Sequence, residues 1–83
     1  MYFVYILYSS ELDRYYIGSC ENIEKRLAKH LSNHRGFTGK AKDWKVKYTE
    51  IHPDRSIALE RERQLKGWKK RLKIERLIAN GPG

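Results

Sequence analysis

The spacing of apolar residues changes along the chain, and each change marks an element. Tyr2 to Tyr8 is an unbroken run of aromatic and branched residues. That is the composition of a strand, and apolar residues on both of its faces predict a strand covered from two sides. Ser9-Ser10-Glu11-Leu12 reads as a turn and Tyr15 to Ser19 as a second short strand, so the two form a β-hairpin. With a four-residue loop, Tyr8 pairs with Asp13 and Tyr5 falls opposite Tyr16. Directly opposed residues share a face, which sets the two tyrosines side by side. A slip of one residue would separate them.

Asn22 has the chemistry of an N-cap for a helix of about ten residues. Ile23, Leu27 and Leu31 recur every fourth position as its apolar stripe. Arg26 and His30 are likewise four apart, and so stack on one face beside that stripe. His34 to Lys42, with Gly36 and Gly39, reads as a loop. From Trp44 to Ile51 the pattern alternates, with Trp44, Val46 and Tyr48 on one side and Lys45, Lys47 and Thr49 on the other. It predicts a third strand with one buried face. After the break at His52-Pro53-Asp54, Asp54 or Ser56 caps a second helix carrying Ile57, Ala58, Leu59 and Leu65. Gly67 weakens that helix. A last helix runs from about Lys69 to Ala79, with Leu72, Leu77 and Ile78 toward the core and Asn80-Gly81 as its stop. Trp44 and Trp68 read as core anchors. The order strand, strand, helix, strand, helix, helix predicts an α+β domain with a three-stranded antiparallel sheet flanked by helices.

The 83 residues are expected to form one domain, 1–83, with one modest core. Net charge is +8, and residues 55–76 hold nine Lys/Arg against three Glu, a net of +6. The remainder is nearly balanced. Such an excess favours an anionic partner. A single cysteine, Cys20, leaves no disulfide partner within the chain and no Cys-based zinc site, and fits a reducing, cytoplasmic setting. No apolar run reaches membrane-spanning length. The start lacks the basic region and cleavage site of a signal peptide.

Several of the remaining polar residues suit one chemistry. Cutting a phosphodiester requires a water to lose a proton, charge on the phosphate to be offset, and the leaving oxygen to be stabilised. Arg26 offers a planar fork of donors that matches phosphate oxygens. Glu62 is a carboxylate able to hold one hard divalent cation, Mg²⁺ or Mn²⁺. Tyr16 or Tyr5 is a candidate base; a free phenol has a pKa of about 10, which a nearby arginine and metal would lower. Gly18 shares the strand face of Tyr16 and, lacking a Cβ, leaves room for a phosphate. Lys66, Lys69, Lys70, Arg71 and Lys73 are either a solvated helix face or nucleic-acid contacts.

Taken together, these residues resemble the GIY-YIG nuclease superfamily over about Tyr2 to Ile78. Tyr16-Ile17-Gly18 matches the second half of that family's motif, and Phe3-Val4-Tyr5 stands in place of the first, with only its tyrosine literal. Arg26, in Glu24-Lys25-Arg26-Leu27, matches the arginine of the first helix, and His30 the histidine one turn later. Glu62 matches the metal-binding glutamate, with Glu60 as the neighbouring alternative. Lys66-Gly67-Trp68 and Lys73 to Ile78 are similar to compact bacterial members. The resemblance implies single-metal hydrolysis of DNA. In that scheme a motif tyrosine, Tyr16 with Tyr5 orienting water or phosphate, activates water with or without help from His30. Arg26 stabilises the transition state and Glu62 anchors the ion. Larger relatives add DNA-binding domains and a late polar residue; here the late candidate, Asn80, reads as a helix cap. The basic C-terminal helices are then expected to supply the DNA affinity, salt-sensitive and sequence-tolerant.

The expected function is a metal-dependent endonuclease acting on DNA, structure-selective and engaged in repair or recombination. Two alternatives remain open: a catalytically weak nucleic-acid-binding module on the same fold, and a small basic RNA-binding protein, distinguished through the 2′-hydroxyl. The sequence leaves the oligomeric state open.

Overall fold

A computed structural model describes residues 1–31 and 37–81. Strand β1 (Tyr2–Ser9) lies between β2 (Arg14–Cys20) and β3 (Lys45–His52), antiparallel to both. Helix α1 (Ile23–Leu31) follows β2, and α2 (Arg55–Lys66) and α3 (Arg71–Ala79) follow β3. This is the expected α+β architecture. Of the expected loop from His34 to Lys42, positions 34–36 lie outside the described residues, and Phe37–Lys40 form a 3₁₀ turn.

The central position of β1 explains its apolar run. Val4, Tyr5, Ile6 and Leu7 are all buried, because layers cover the strand from both sides. Tyr5 and Leu7 join Cys20, Ala41 and Trp44 in a cluster closed by Ile23, Leu27 and Leu31 of α1. Val4 and Ile6 point the other way, to Ala58 and Leu65 of α2, Ile74 of α3 and Tyr48. Each fully buried aliphatic side chain contributes roughly 1.5–3 kcal/mol relative to exposure. Trp68 and Leu77 pack against both clusters of this second side, and Ile78 against one of them.

The caps follow side-chain chemistry. The Asn22 side-chain oxygen accepts from the Lys25 N–H at 3.0 Å, and Asp54 rather than Ser56 caps α2, accepting from the Ile57 N–H at 3.0 Å. Gly67 ends α2, and Asn80 ends α3. Helix α3 starts two residues later than expected. Its buried residue is Ile74, whereas Leu72 is 55% exposed. Ile57 and Leu59 of α2 are likewise exposed rather than core residues. In each helix the face toward the sheet is set by packing, and only the apolar positions on that face are covered.

Two details of register depart from expectation. The hairpin pairs Tyr5 with Gly18 and Leu7 with Tyr16, not Tyr5 with Tyr16. Tyr8 pairs with Tyr15, not Asp13, so the four-residue loop begins at Ser10, one position later. Ser9 is the reason. Its side chain is fully buried, donates to Asp43 at 2.6 Å and accepts from the Leu12 N–H, which draws Ser9 into the strand. Asp13 closes the loop at φ 53°, a left-handed conformation that aspartate tolerates better than most residues. A shift of two residues preserves the face, so Tyr5 and Tyr16 still share one.

The second departure is a β-bulge in β3. Ile6 pairs with Tyr48 but Leu7 pairs with Val46, leaving Lys47 as the extra residue. Val46 and Trp44 therefore pack on the α1 side while Tyr48 packs on the other. The expected sharing of one face by Trp44, Val46 and Tyr48 does not hold, because a bulge resets alternation.

Candidate active site

Strand β2 is an edge strand, and a cleft of about 710 Å³ wraps around its free edge. Helix α1 forms one wall with Lys25, Arg26 and Lys29; α2 forms the other with Arg55, Leu59 and Glu62. Tyr16 and Gly18 reach the cleft from the α1 face of the sheet and Ser19 from the α2 face, since neighbouring strand residues point oppositely. Tyr5 also lines it, from the middle strand. Sequence positions from Tyr5 to Glu62 thus converge on one concavity.

Tyr5, Tyr16 and His30 form an aromatic triangle. Ring centres lie 6.4 Å apart for Tyr5 and Tyr16, 5.8 Å for Tyr5 and His30, and 4.8 Å for Tyr16 and His30. His30 is buried, and its Nε2 is hydrogen-bonded to the Tyr5 hydroxyl at 2.8 Å. Burial pushes the Tyr5 phenol well above its ordinary range; the Tyr16 phenol adds to this, and the Arg26 guanidinium opposes it. The arginine therefore does pull downward, as expected, but desolvation outweighs it. Tyr5 is a neutral phenol at physiological pH.

Gly18 has a role the sequence did not indicate. A Cβ there would sit 2.6 Å from Cζ of Tyr5. The room above Gly18 is filled by the Tyr5 phenol itself, its cross-strand partner. The missing side chain is what lets that ring lie flat against the hairpin.

Glu62 is held from two sides. Ser19 donates its hydroxyl to Oε1 at 2.5 Å, and the Lys66 ammonium approaches Oε2 at 2.6 Å. Lys66 also leans toward Tyr16, 6.0 Å from the ring centre. Glu60 is exposed and is not among the cleft-lining residues. Behind Glu62, Arg61 clamps Glu50 of β3 through Nε and Nη2, at 3.0 and 2.9 Å. Burial alone would raise the Glu50 carboxyl, but Arg61, the Tyr48 hydroxyl and His52 hold it down at about 2. This clamp fixes α2 against β3 one residue from Glu62.

The other basic candidates lie elsewhere. Lys69, Lys70, Arg71 and Lys73 are not cleft-lining residues. Arg71 bonds Asp13 at 2.6 Å and Glu75 at 3.2 Å and lies over the rings of Tyr8 and Tyr15. Lys73 lies over Trp68. Sequence reasoning missed Lys25, Lys29, Arg55 and Ser19. The four-residue spacing of Lys25 and Lys29, which brackets Arg26, was the available signal for the first two.

The comparison with family models decides what this arrangement belongs to. The GIY-YIG catalytic domain model matches residues 1–75. The chain belongs to the GIY-YIG family. A GIY-YIG domain implies nuclease-type activity, with DNA as the indicated substrate. No curated protein and no solved structure gives a match. Among the described residues, no helix is long and apolar enough to cross a membrane.

Proposed function

We propose that this GIY-YIG protein is a metal-dependent endonuclease that hydrolyses DNA phosphodiesters with one Mg²⁺ or Mn²⁺, acting as one nuclease domain over residues 1–83. The observation that carries the proposal is the convergence of Tyr16, Arg26 and Glu62 on one cleft. In this reading Tyr16 takes the proton from the attacking water. Tyr5, kept protonated by burial and tied to His30, orients water or phosphate rather than acting as base. Arg26 binds the phosphate oxygens as charge builds on them.

Glu62 lines the cleft and would hold a hard cation there, in place of the half-exposed Lys66 ammonium that approaches its Oε2. Among the described residues no group of three or more His, Cys, Asp or Glu could hold a metal ion. A single carboxylate with water and substrate oxygens suits Mg²⁺. When bound, the ion supplies Lewis-acid stabilisation of the phosphate. On this reading the enzyme acts structure-selectively in repair or recombination, in a cytoplasmic setting that its single cysteine fits.

The test is incubation with plasmid and with branched DNA in Mg²⁺ or Mn²⁺. Nicking that disappears in both Glu62→Ala and Arg26→Ala supports the proposal; cleavage that survives both overturns it. The pairing of Glu62 with Lys66 favours a second reading, a catalytically weak nucleic-acid-binding module. Binding without cleavage at any metal concentration is its signature.

A further inference from the structure

The chain carries two basic regions, and their surroundings differ. Around α3, Arg71 and Lys73 are engaged in holding the fold together. Arg71 joins the helix to the hairpin loop through the Asp13 carboxylate and backbone carbonyl, and Lys73 covers the face of Trp68. In the cleft, four cations, Lys25, Arg26, Lys29 and Arg55, face two carboxylates, Glu21 and Glu62. That leaves a positive α1 wall on one side of the phenol and carboxylate that the proposed reaction uses, and a single cation, Arg55, on the other.

We infer that Lys25 and Lys29 on one wall and Arg55 on the other grip the phosphates flanking the cut, so that the DNA strand runs along the free edge of β2 between α1 and α2. Lys25 and Lys29 are one helical turn apart, a rise of about 6 Å, close to the separation of neighbouring phosphates along an extended strand. Arg55 opens α2, at the end of the helix where the backbone dipole is positive. A strand lying there passes both Tyr16 and Glu62 and brings its phosphate to Arg26. A strand laid on α3 would meet none of these groups. Arg71 and Lys73 are thus structural, Lys69 and Lys70 lie outside the cleft, and the α1 and α2 cations of the cleft hold substrate. This inference rests on the nuclease reading for the identity of the ligand, but its test is a binding measurement.

The experiment is fluorescence anisotropy of labelled single-stranded and branched DNA in EDTA, across a range of salt concentrations. It compares the wild type with two triple variants that lose the same charge: Lys25→Gln/Lys29→Gln/Arg55→Gln and Lys69→Gln/Lys70→Gln/Lys73→Gln. The cleft variant is expected to bind at least about tenfold more weakly, with a salt slope shallower by about two to three. The α3 variant is expected to change Kd by less than about threefold. Equal weakening in both would mean bulk charge alone and would overturn the inference, as would weakening confined to the α3 variant, no binding by the wild type, or tighter binding of matched RNA. Circular dichroism checks folding; if the cleft triple variant fails to fold, Lys25→Gln and Arg55→Gln singly each carry the same expectation of a slope shallower by about one. Cleft-dependent binding without cleavage in Mg²⁺ or Mn²⁺ would sink the nuclease reading and leave this one. Cleavage with unaltered binding by the cleft variant would do the reverse.

Discussion

The two faces of β1 are built from the same eight-residue strand and serve different ends. Toward α2 and α3 it presents Val4 and Ile6, sealed against Ala58, Leu65 and Ile74. Toward α1 it presents Tyr5 and Leu7, and there Tyr5, its hydroxyl bonded to the buried His30 imidazole, lines an open cleft. Both faces are buried and both are polar at their margins, but the polar groups differ in use: on the α2 side Tyr48, Glu50, His52 and Arg61 are tied to one another, whereas on the α1 side the phenols of Tyr5 and Tyr16 line an open cleft. A small sheet can thus use the polar groups of one side to moor a helix and leave those of the other for chemistry.

That contrast can be broken in several ways. Tyr16→Phe removes one oxygen from the α1 side. We expect cleavage to fall by about 10²–10⁴, the usual contribution of a general base, with the urea midpoint nearly unchanged; undiminished cleavage would remove Tyr16 from the chemistry. Leu65→Ala attacks the sealed side. It should cost about 2–5 kcal/mol of stability, read from urea unfolding, while the surviving folded enzyme keeps its rate at 25 °C. Gly18→Ala strikes where the faces meet function, because the new methyl group must displace the Tyr5 ring. A loss of about 1–3 kcal/mol together with slower cleavage is expected, and a variant as stable and active as wild type would contradict the close approach of the ring.

The smallest effect concerns the Glu50 clamp. Its carboxyl is held at about 2 in the folded chain, below the ordinary value. A depressed folded-state pKa adds stability above the unfolded-state value, and that stability is lost as pH falls toward the folded value. Glu50→Gln should therefore be less stable than wild type at pH 7 by about 1–3 kcal/mol, and the gap should narrow from about pH 4.5 downward. A gap that stays constant to pH 3 would mean that the carboxylate charge is not what stabilises.

Much of this was legible in the chain. Element order followed from the change between two- and four-residue periods, and helix starts from Asn22 and Asp54. Tyr16, Arg26 and Glu62 could be singled out because Tyr16-Ile17-Gly18, Arg26, His30 and Glu62 in that order resemble the GIY-YIG pattern; taken singly, each is an ordinary strand or helix residue. The hairpin register was not legible, because apolar residues continue through Tyr8 and nothing local says that buried Ser9 will find Asp43, 34 residues away. The bulge was hidden for a related reason: Lys47 fits perfect alternation on paper. Ile74 rather than Leu72 faces the core because α3 is oriented by its contacts with the sheet, Trp68 and the hairpin loop. The cleft walls were obscured because a lysine on a helix looks alike whether it faces solvent or substrate.

The additional residue at Lys47 is one that the ladder could close over. Val46 and Tyr48 face Leu7 and Ile6, which are neighbours in β1, so a chain lacking Lys47 would pair regularly and still carry Tyr48 and Glu50 to the side of Arg61. The spare lysine is thus a length of strand that can be removed without unmooring the helix that presents Glu62.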